Sequence, residues 1–280
     1  MKRVWRDGRI CMPEEAHVSI ADRGLLLGDG LFETMAVYSA QVFDLDAHLE
    51  RLASGLGVLG FVQAVDLAGL RAGIADFIAA EEASSAVLRV TVTRGAGPRG
   101  LAPPEAPRPA IFMTLSPMPA VRKAPLSLHI ATVTRRNEHS PLSRIKALPY
   151  LDNLLALSEA RAHGADEALM LNTCGAIACA SAANVFIIRE GRLETPPVSD
   201  GALPGTMRAL VLCLAKQAGL APVENSLHVE DLAEADEIFL TNSISRVREV
   251  RQCSDAPLER RASTAVRRFR ALIASRFDAM

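Results

Sequence analysis

Lysine is scarce in this sequence. Of 31 basic residues only Lys2, Lys123, Lys146 and Lys216 are lysines, so chemistry that needs a side-chain amine has four candidates. Charge of one sign is lacking too: 31 Lys and Arg against 32 Asp and Glu leave a net charge of −1 and no broad field to hold a polyanion. That argues against nucleic acid as a partner. No run of about 18 apolar residues occurs, so no membrane partner is expected, and the opening Met1–Glu15 turns polar too soon for a signal-peptide core. A cytoplasmic location is the expectation. The five cysteines contain no CxxC and the six histidines form no HxH or HExxH, which argues against a disulfide framework and leaves no metal site expected.

What is present is 280 residues with 49% hydrophobic and 22% charged side chains, enough to bury a large core in one or two domains. Asp7-Gly8 between β-prone runs reads as a hairpin, and Phe32–Val37 and Val42-Phe43 read as strands. Leu45, Leu49, Leu52, Leu56 and Leu59 predict a helix, as do Leu67, Leu70, Ile74, Phe77 and Ile78, and strands return at Val87–Thr93 and Ala110–Leu115. The prolines of Ser116–Pro125 mark a linker, dividing the chain into a mixed α/β domain at 1–115 and a second α/β domain at 126–280. In the second, strands are expected at Leu128–Val133, Glu167–Leu171, Ala176–Ile188 and Glu237–Thr241. Helices are expected at Leu151–His163, from Gly205 to Gly219, and at Leu258–Phe277 with Val266, Phe269, Leu272 and Ile273 inward.

Two motifs mislead. Gly95-Ala-Gly97-Pro-Arg-Gly100 matches GxGxxG, but the proline-rich stretch after it cannot form the helix a dinucleotide site needs. Ser143-Arg-Ile-Lys146 matches SxxK, in which a lysine activates a serine for acyl transfer; the companion KTG element is missing and Ser199-Asp200-Gly201 only approaches SDN. A Ser143 acyl hydrolase stays as an alternative reading.

Lys146 is more informative alone. Ile145, Ala147, Leu148 and Pro149 surround it at the edge of a predicted helix, and a desolvated lysine has a lowered pKa and an amine ready to attack an aldehyde. A snorkelling surface lysine is the alternative. The other three have poorer settings: Lys2 in the tail, Lys123 in the linker, and Lys216 away from the Leu210/Leu214 stripe. Two stretches suit a phosphate. Leu203-Pro-Gly-Thr-Met-Arg208 opens a helix, with Thr206 either an anion ligand or a plain N-cap, and Leu240-Thr-Asn-Ser243 leaves a strand with three polar side chains.

Taken together, Asp22–Thr34 (DRGLLLGDGLFET), His48-Leu-Glu-Arg51, Thr93–Gly100, Ile145-Lys146, Ala182–Phe186, Leu203–Thr206 and Leu240–Ser243 occur in the order seen in the class IV aminotransferases. The chain resembles that family, fold type IV of the pyridoxal-phosphate enzymes, from about Asp22 to Val250. The resemblance implies a two-domain α+β / α/β architecture like that of D-amino acid aminotransferase, with pyridoxal 5′-phosphate as a Schiff base on Lys146 in a cleft between domains. It implies that Arg51, the Thr206 and Met207 backbone, and Asn242 and Ser243 hold the phosphate, that Tyr150 bonds the ring oxygen and that Cys179 faces the pyridine nitrogen. Phe32, Arg89 and Arg94 fall at substrate positions. A small amino substrate and a homodimer are implied as well. Gly28–Thr34 and Arg94–Gly100 are most similar to the aminodeoxychorismate lyases, whereas Tyr150 resembles the branched-chain transaminases; D-amino-acid transaminases share the framework.

One position departs from the pattern. Five residues before Asn184 the family has a glutamate that keeps the pyridine nitrogen protonated, and here Cys179 stands there. A thiol is a weak donor and cannot supply that charge. Three consequences follow from the departure: another group serves the nitrogen, the ring works with less electron withdrawal, or the cofactor is bound with reduced or lost activity.

Overall fold

Asp7 and Gly8 reverse the chain with positive φ at both residues, 46° and 90°, a turn whose twist suits antiparallel strands. It joins β1 (Val4–Arg6) to β2 (Arg9–Cys11). The structure, a computed structural model, describes residues 3–120, 124–254, 256–257 and 264–278. Lys2, Lys123 and the 258–263 part of the expected terminal helix lie outside them.

The chain forms two units. The first holds the described residues up to Pro119 together with Ile145–Pro149; the second holds those from Ala120 to Arg144 and from Tyr150 onward. In the first, α1 (Arg23–Leu27), β3 (Gly30–Tyr38), β4 (Gln41–Val42), α2 (Leu45–Leu59), α3 (Leu67–Ala80), β5 (Ser85–Thr93) and β6 (Ala110–Pro117) follow in order. Its antiparallel sheet runs β2-β1-β6-β5-β3-β4. The predicted stripes bury Leu49, Leu52 and Leu56 of α2 and Leu70, Ile74, Phe77 and Ile78 of α3 with Leu31, Met35, Leu88, Val90 and Met113 of the sheet. Each such side chain stabilises the unit by roughly 1.5–3 kcal/mol.

β4 pairs only with Val37 and Tyr38, so the edge of β3 at Gly30–Phe32 needs another partner. Ile145–Pro149 provides it. Ala147 bridges Leu31, the Phe32 N–H donates to the Lys146 carbonyl at 3.0 Å, and the Leu148 N–H donates to the Gly30 carbonyl at 3.0 Å. The expected division puts Lys146 in the second domain at a helix edge; these bonds draw it into the first unit, in a turn beside the Leu31–Ala147 bridge. The glycine-rich stretch after β5 turns at Gly95 (φ +85°) and continues without a helix, as the proline content requires. Buried Arg23 ties it down through the carbonyls of Gly100, Leu101 and Ala102 at 3.0, 2.9 and 3.2 Å.

The second unit contains β7 (Leu126–Ile130), α4 (Leu151–Ala162), β8 (Glu167–Leu171), β9 (Ile177–Ala180), β10 (Asn184–Arg189), β11 (Arg192–Thr195), α5 (Thr206–Leu214), β12 (Ala221–Glu224), α6 (Asp231–Glu234), β13 (Glu237–Asn242), β14 (Arg246–Cys253), β15 (Ala256–Pro257) and α7 (Thr264–Asp278). Its sheet runs β12-β11-β10-β13-β14-β7-β8-β9, with β15 beside β14. It is parallel at β11–β12, β14–β7 and β7–β8. Alternate residues serve two cores: Leu169, Leu171, Val185, Ile187, Ile238 and Leu240 pack on one face. Phe239 turns to the other, stacked on Phe186 at 5.1 Å and met by Phe269 of α7 at 5.6 Å. Glu237 caps α7 by accepting from the Ala265 and Val266 N–H groups at 2.9 and 3.0 Å.

Three expectations shift. The strand predicted over Ala176–Ile188 is β9 and β10, broken at Ser181–Ala183 where the Ser181 N–H bonds the Ala168 carbonyl. The helix from Gly205 stops at Leu214, and Ala215–Gly219 turns back on itself through Leu220 N–H to Ala215 carbonyl. The strand near Leu128 is β7, two residues earlier and ending at Ile130. No described helix is long and apolar enough to cross a membrane.

Candidate active site

Phe32 and Lys146 are joined by their backbones, and their side chains meet: the Lys146 Nζ lies 4.3 Å from the centre of the Phe32 ring. The Arg89 guanidinium, from β5, lies 4.0 Å from the same ring centre. Burial lowers the Lys146 pKa from 10.5 to about 8; Arg51 and Arg89 push the same way and Glu33 opposes them. At neutral pH roughly 300-fold more of this amine is unprotonated than of an ordinary lysine. Lys146, Phe32, Arg51 and Arg89 are thus brought together in the first unit.

Arg51 reaches this place from α2. Its Nε and Nη2 donate to the Glu33 carboxylate at 2.8 and 2.6 Å, and the His48 Nδ1 lies 2.7 Å from the same carboxylate. Neither Glu33 nor His48 stands out in the sequence beyond its motif. The available signal is a glutamate between Leu31 and Met35 in an apolar strand, opposite a His and an Arg three residues apart on one helix face.

Arg94 is occupied otherwise. It donates to Asp29 and to the Leu59 carbonyl, both at 2.7 Å, and lies 4.4 Å from the Phe61 ring centre. Burial pushes the Asp29 carboxyl up, but the hydrogen bonds from Arg94 and Arg23 outweigh it and hold it below the usual carboxylate range. Arg94 therefore braces the end of β5 and is not among the groups gathered at Lys146.

In the second unit, Gly205 caps α5, and a Cβ there would lie 2.1 Å from the Asn184 Oδ1, so only glycine lets the chain come this close. Asn184 in turn donates to the Leu203 carbonyl at 2.8 Å. This delivers Thr206 and Met207 to the helix N-terminus, where the Thr206 and Ser243 hydroxyls lie 3.2 Å apart. The N-terminal end of α5, with its helix dipole, and the two hydroxyls have the chemistry to hold an anion. The Asn242 side chain shapes the turn beside it, accepting from the Ile244 and Ser245 N–H groups at 3.0 and 2.7 Å. Tyr150 is the N-cap residue of α4. Cys179 is buried on β9 beside Met170 among Ala131, Ala156, Ala160, Ala168 and Ala178. Burial pushes its thiol up, Glu167 adds to this and Arg136 opposes, so it stays a neutral thiol. Ser143 is buried and donates to the Asn137 carbonyl at 2.7 Å.

The profile of the amino-transferase class IV family matches residues 30–253. A Methanocaldococcus jannaschii protein provisionally named a branched-chain-amino-acid aminotransferase is 33% identical over 246 residues, 88% of this chain and 85% of that protein. The crystal structure of 4-amino-4-deoxychorismate lyase from Pseudomonas aeruginosa is 32% identical and superposes with a TM-score of 0.87, covering 97% of this chain and 98% of that one. The Escherichia coli branched-chain amino acid aminotransferase is 26% identical with a TM-score of 0.92, covering 99% and 94%. With the fold, the ordered motifs and these likenesses in agreement, the chain belongs to the class IV aminotransferases, pyridoxal 5′-phosphate-dependent enzymes of fold type IV.

Proposed function

We propose that the chain releases pyruvate from 4-amino-4-deoxychorismate to give 4-aminobenzoate, with Lys146 as the residue that carries the cofactor. The observation behind this reading is an amine held against Phe32 with a pKa of about 8. The cofactor supplies an aldehyde that an amine can bind and a ring that withdraws electrons from the substrate's α-carbon. Each unit, taken by itself, carries residues that suit one of its ends: in the first, Lys146 would take the aldehyde and Arg51 a phosphate; in the second, the Thr206 and Met207 N–H groups and Ser243 would take a phosphate, with Asn242 shaping the turn that holds Ser243. Tyr150 would bond the ring oxygen. At the ring nitrogen the fit is weaker, since Cys179 offers a neutral thiol.

Lys146 would also serve as general base and acid, moving the proton at the substrate's α-carbon. Arg89, on Phe32, would hold a substrate carboxylate. The lyase assignment is supported by Gly28–Thr34 and by the likeness to the Pseudomonas aeruginosa lyase. Tyr150 and the Methanocaldococcus jannaschii relative favour a second reading, branched-chain transamination. Incubation with aminodeoxychorismate is expected to yield pyruvate and 4-aminobenzoate in equal amounts. Amino transfer from branched-chain amino acids without pyruvate would replace the lyase reading by the second. A yellow protein whose spectrum no L- or D-amino acid changes would point to binding without turnover. Because Ser143 already gives its proton to a carbonyl, a serine-directed acylating reagent is expected to leave it unlabelled.

The working form is a homodimer in this reading. On α1, Leu25 and Leu26 are each 63% exposed, and on α4 Leu151 is 72% exposed with Leu154 and Leu155 also outward. Exposed leucines in such groups are usual where a second chain covers them. Gel filtration is expected to give the mass of two chains, and Leu154→Asp to shift it toward one; a wild-type protein eluting as one chain would refute the dimer.

A further inference from the structure

Glu33 lies on the face of β3 that α2 covers and is only 1% exposed. A carboxylate so placed is costly unless it is paired. Arg51 pairs it through two donors and His48 through one, and the Arg51 Nη2 lies 3.4 Å from the His48 Nδ1, so the three side chains form one closed group. Burial pushes the carboxyl up, but the hydrogen bonds from Arg51 and His48 outweigh it and hold it below its ordinary value. Glu33 is therefore ionised at neutral pH. It also adjoins Phe32, whose ring carries Lys146 and Arg89.

We propose that Glu33 is a positioning residue with two effects: it fixes the guanidinium plane of Arg51, and it sets a negative charge against the cations around Lys146. The proposal rests on the reading of Lys146 as the amine and Arg51 as a phosphate residue, and adds a link between them. Glu33 engages Nε and Nη2, so β3 aims the guanidinium before any anion arrives. The charged groups around the amine are Arg51 on α2 and Arg89 on β5, which favour its neutral form, and Glu33 on β3, which opposes them, with His48 on α2 turned to Glu33. An anion bound at Arg51 would act in the same sense as Glu33. Phosphate occupancy and the protonation of Lys146 are then coupled.

The test uses the full-length chain without cofactor, labelling Lys146 with trace acetic anhydride across the neutral and alkaline range and reading the peptide by mass spectrometry. Glu33→Gln is expected to lower the labelling midpoint from about 8 by about one pH unit, close to a fivefold gain in reactive amine at neutral pH. An unmoved midpoint in the folded variant overturns the link to Lys146. Glu33→Asp keeps the charge and shortens the arm, so its midpoint should stay near wild type. Inorganic phosphate should raise the wild-type midpoint, and Glu33→Asp should need about tenfold more of it, equivalent to the loss of one well-aimed hydrogen bond. An equal phosphate requirement overturns the positioning of Arg51, even if Glu33→Gln does not fold. If phosphate leaves the wild-type midpoint unchanged while Glu33→Gln still lowers it, Arg51 loses its phosphate role and the link between Glu33 and Lys146 stands.

Discussion

Lys146→Ala is expected to abolish covalent retention of the cofactor and to lower turnover by about 10³-fold or more, because the same amine serves as nucleophile and as proton carrier. Borohydride treatment of the wild type should fix the label on Lys146, and the variant should carry none. The fold should survive the change. The bonds that hold this segment to β3 come from the backbone, between the Phe32 N–H and the Lys146 carbonyl and between the Leu148 N–H and the Gly30 carbonyl, and alanine retains them. The unfolding midpoint is expected to stay or rise, since a desolvated amine is removed. The pH dependence follows from the lowered pKa. Below about 8 the amine is increasingly protonated, so its rate of reaction with an aldehyde such as pyridoxal should fall about tenfold per pH unit; above it the rate should level off. A rate still climbing well above pH 9, as roughly expected for an unperturbed lysine, would reject the desolvated setting. Retention of the label at another residue in Lys146→Ala would reject the nucleophile.

Cys179→Glu is the second large effect, and the two states of the protein should answer it in opposite directions. Without cofactor the new carboxylate enters a cluster of alanines, where lost hydration and crowding should destabilise the chain by about 2–4 kcal/mol. With cofactor, a protonated ring nitrogen would give it a partner. The loss should then be largely offset, the visible absorbance should shift, and the half-reaction with an amino substrate should accelerate by about tenfold or more. Arg136 also acts electrostatically on position 179 and would compete for the carboxylate, so the absorbance is the deciding measurement. Equal destabilisation in both states with an unchanged spectrum would mean that position 179 does not face the nitrogen.

Local features of this molecule were legible in the sequence where neighbours in the chain decide them. The leucine stripe of α2 and the Asp7-Gly8 turn depend on periodicity and on backbone conformations that glycine favours, and both are present. Lys146 emerged because lysines are few and its flanks are apolar. Features set by distant segments were less visible. Nothing near residue 146 announces that β3 lacks a partner at Gly30–Phe32, so the pairing that moves Lys146 into the first unit had no local trace. β14 (Arg-Val-Arg-Glu-Val-Arg-Gln-Cys) buries Val247, Glu249 and Val250 in a run dominated by charge, which hides its strand character. Arg94 looked available for a ligand because its partners Asp29 and Leu59 are remote in the chain. Glu33 was hidden for the same reason: a buried glutamate becomes intelligible only when the arginine and histidine of α2 are seen against it.

The short segment Ile145–Pro149 has a consequence for how this enzyme can be divided or recombined. Its chain arrives from the second unit and returns to it, so the first unit is not one continuous stretch of gene. A fragment ending at Pro119 would leave the backbone of Gly30–Phe32 bare along an open edge, an invitation to self-association, and would carry no nucleophile. A chimera with a single crossover near Pro119 would set one homologue's edge segment against another's sheet. Functional exchange of modules between relatives therefore calls for two further junctions, one on each side of this segment, so that the segment travels with the sheet edge it covers.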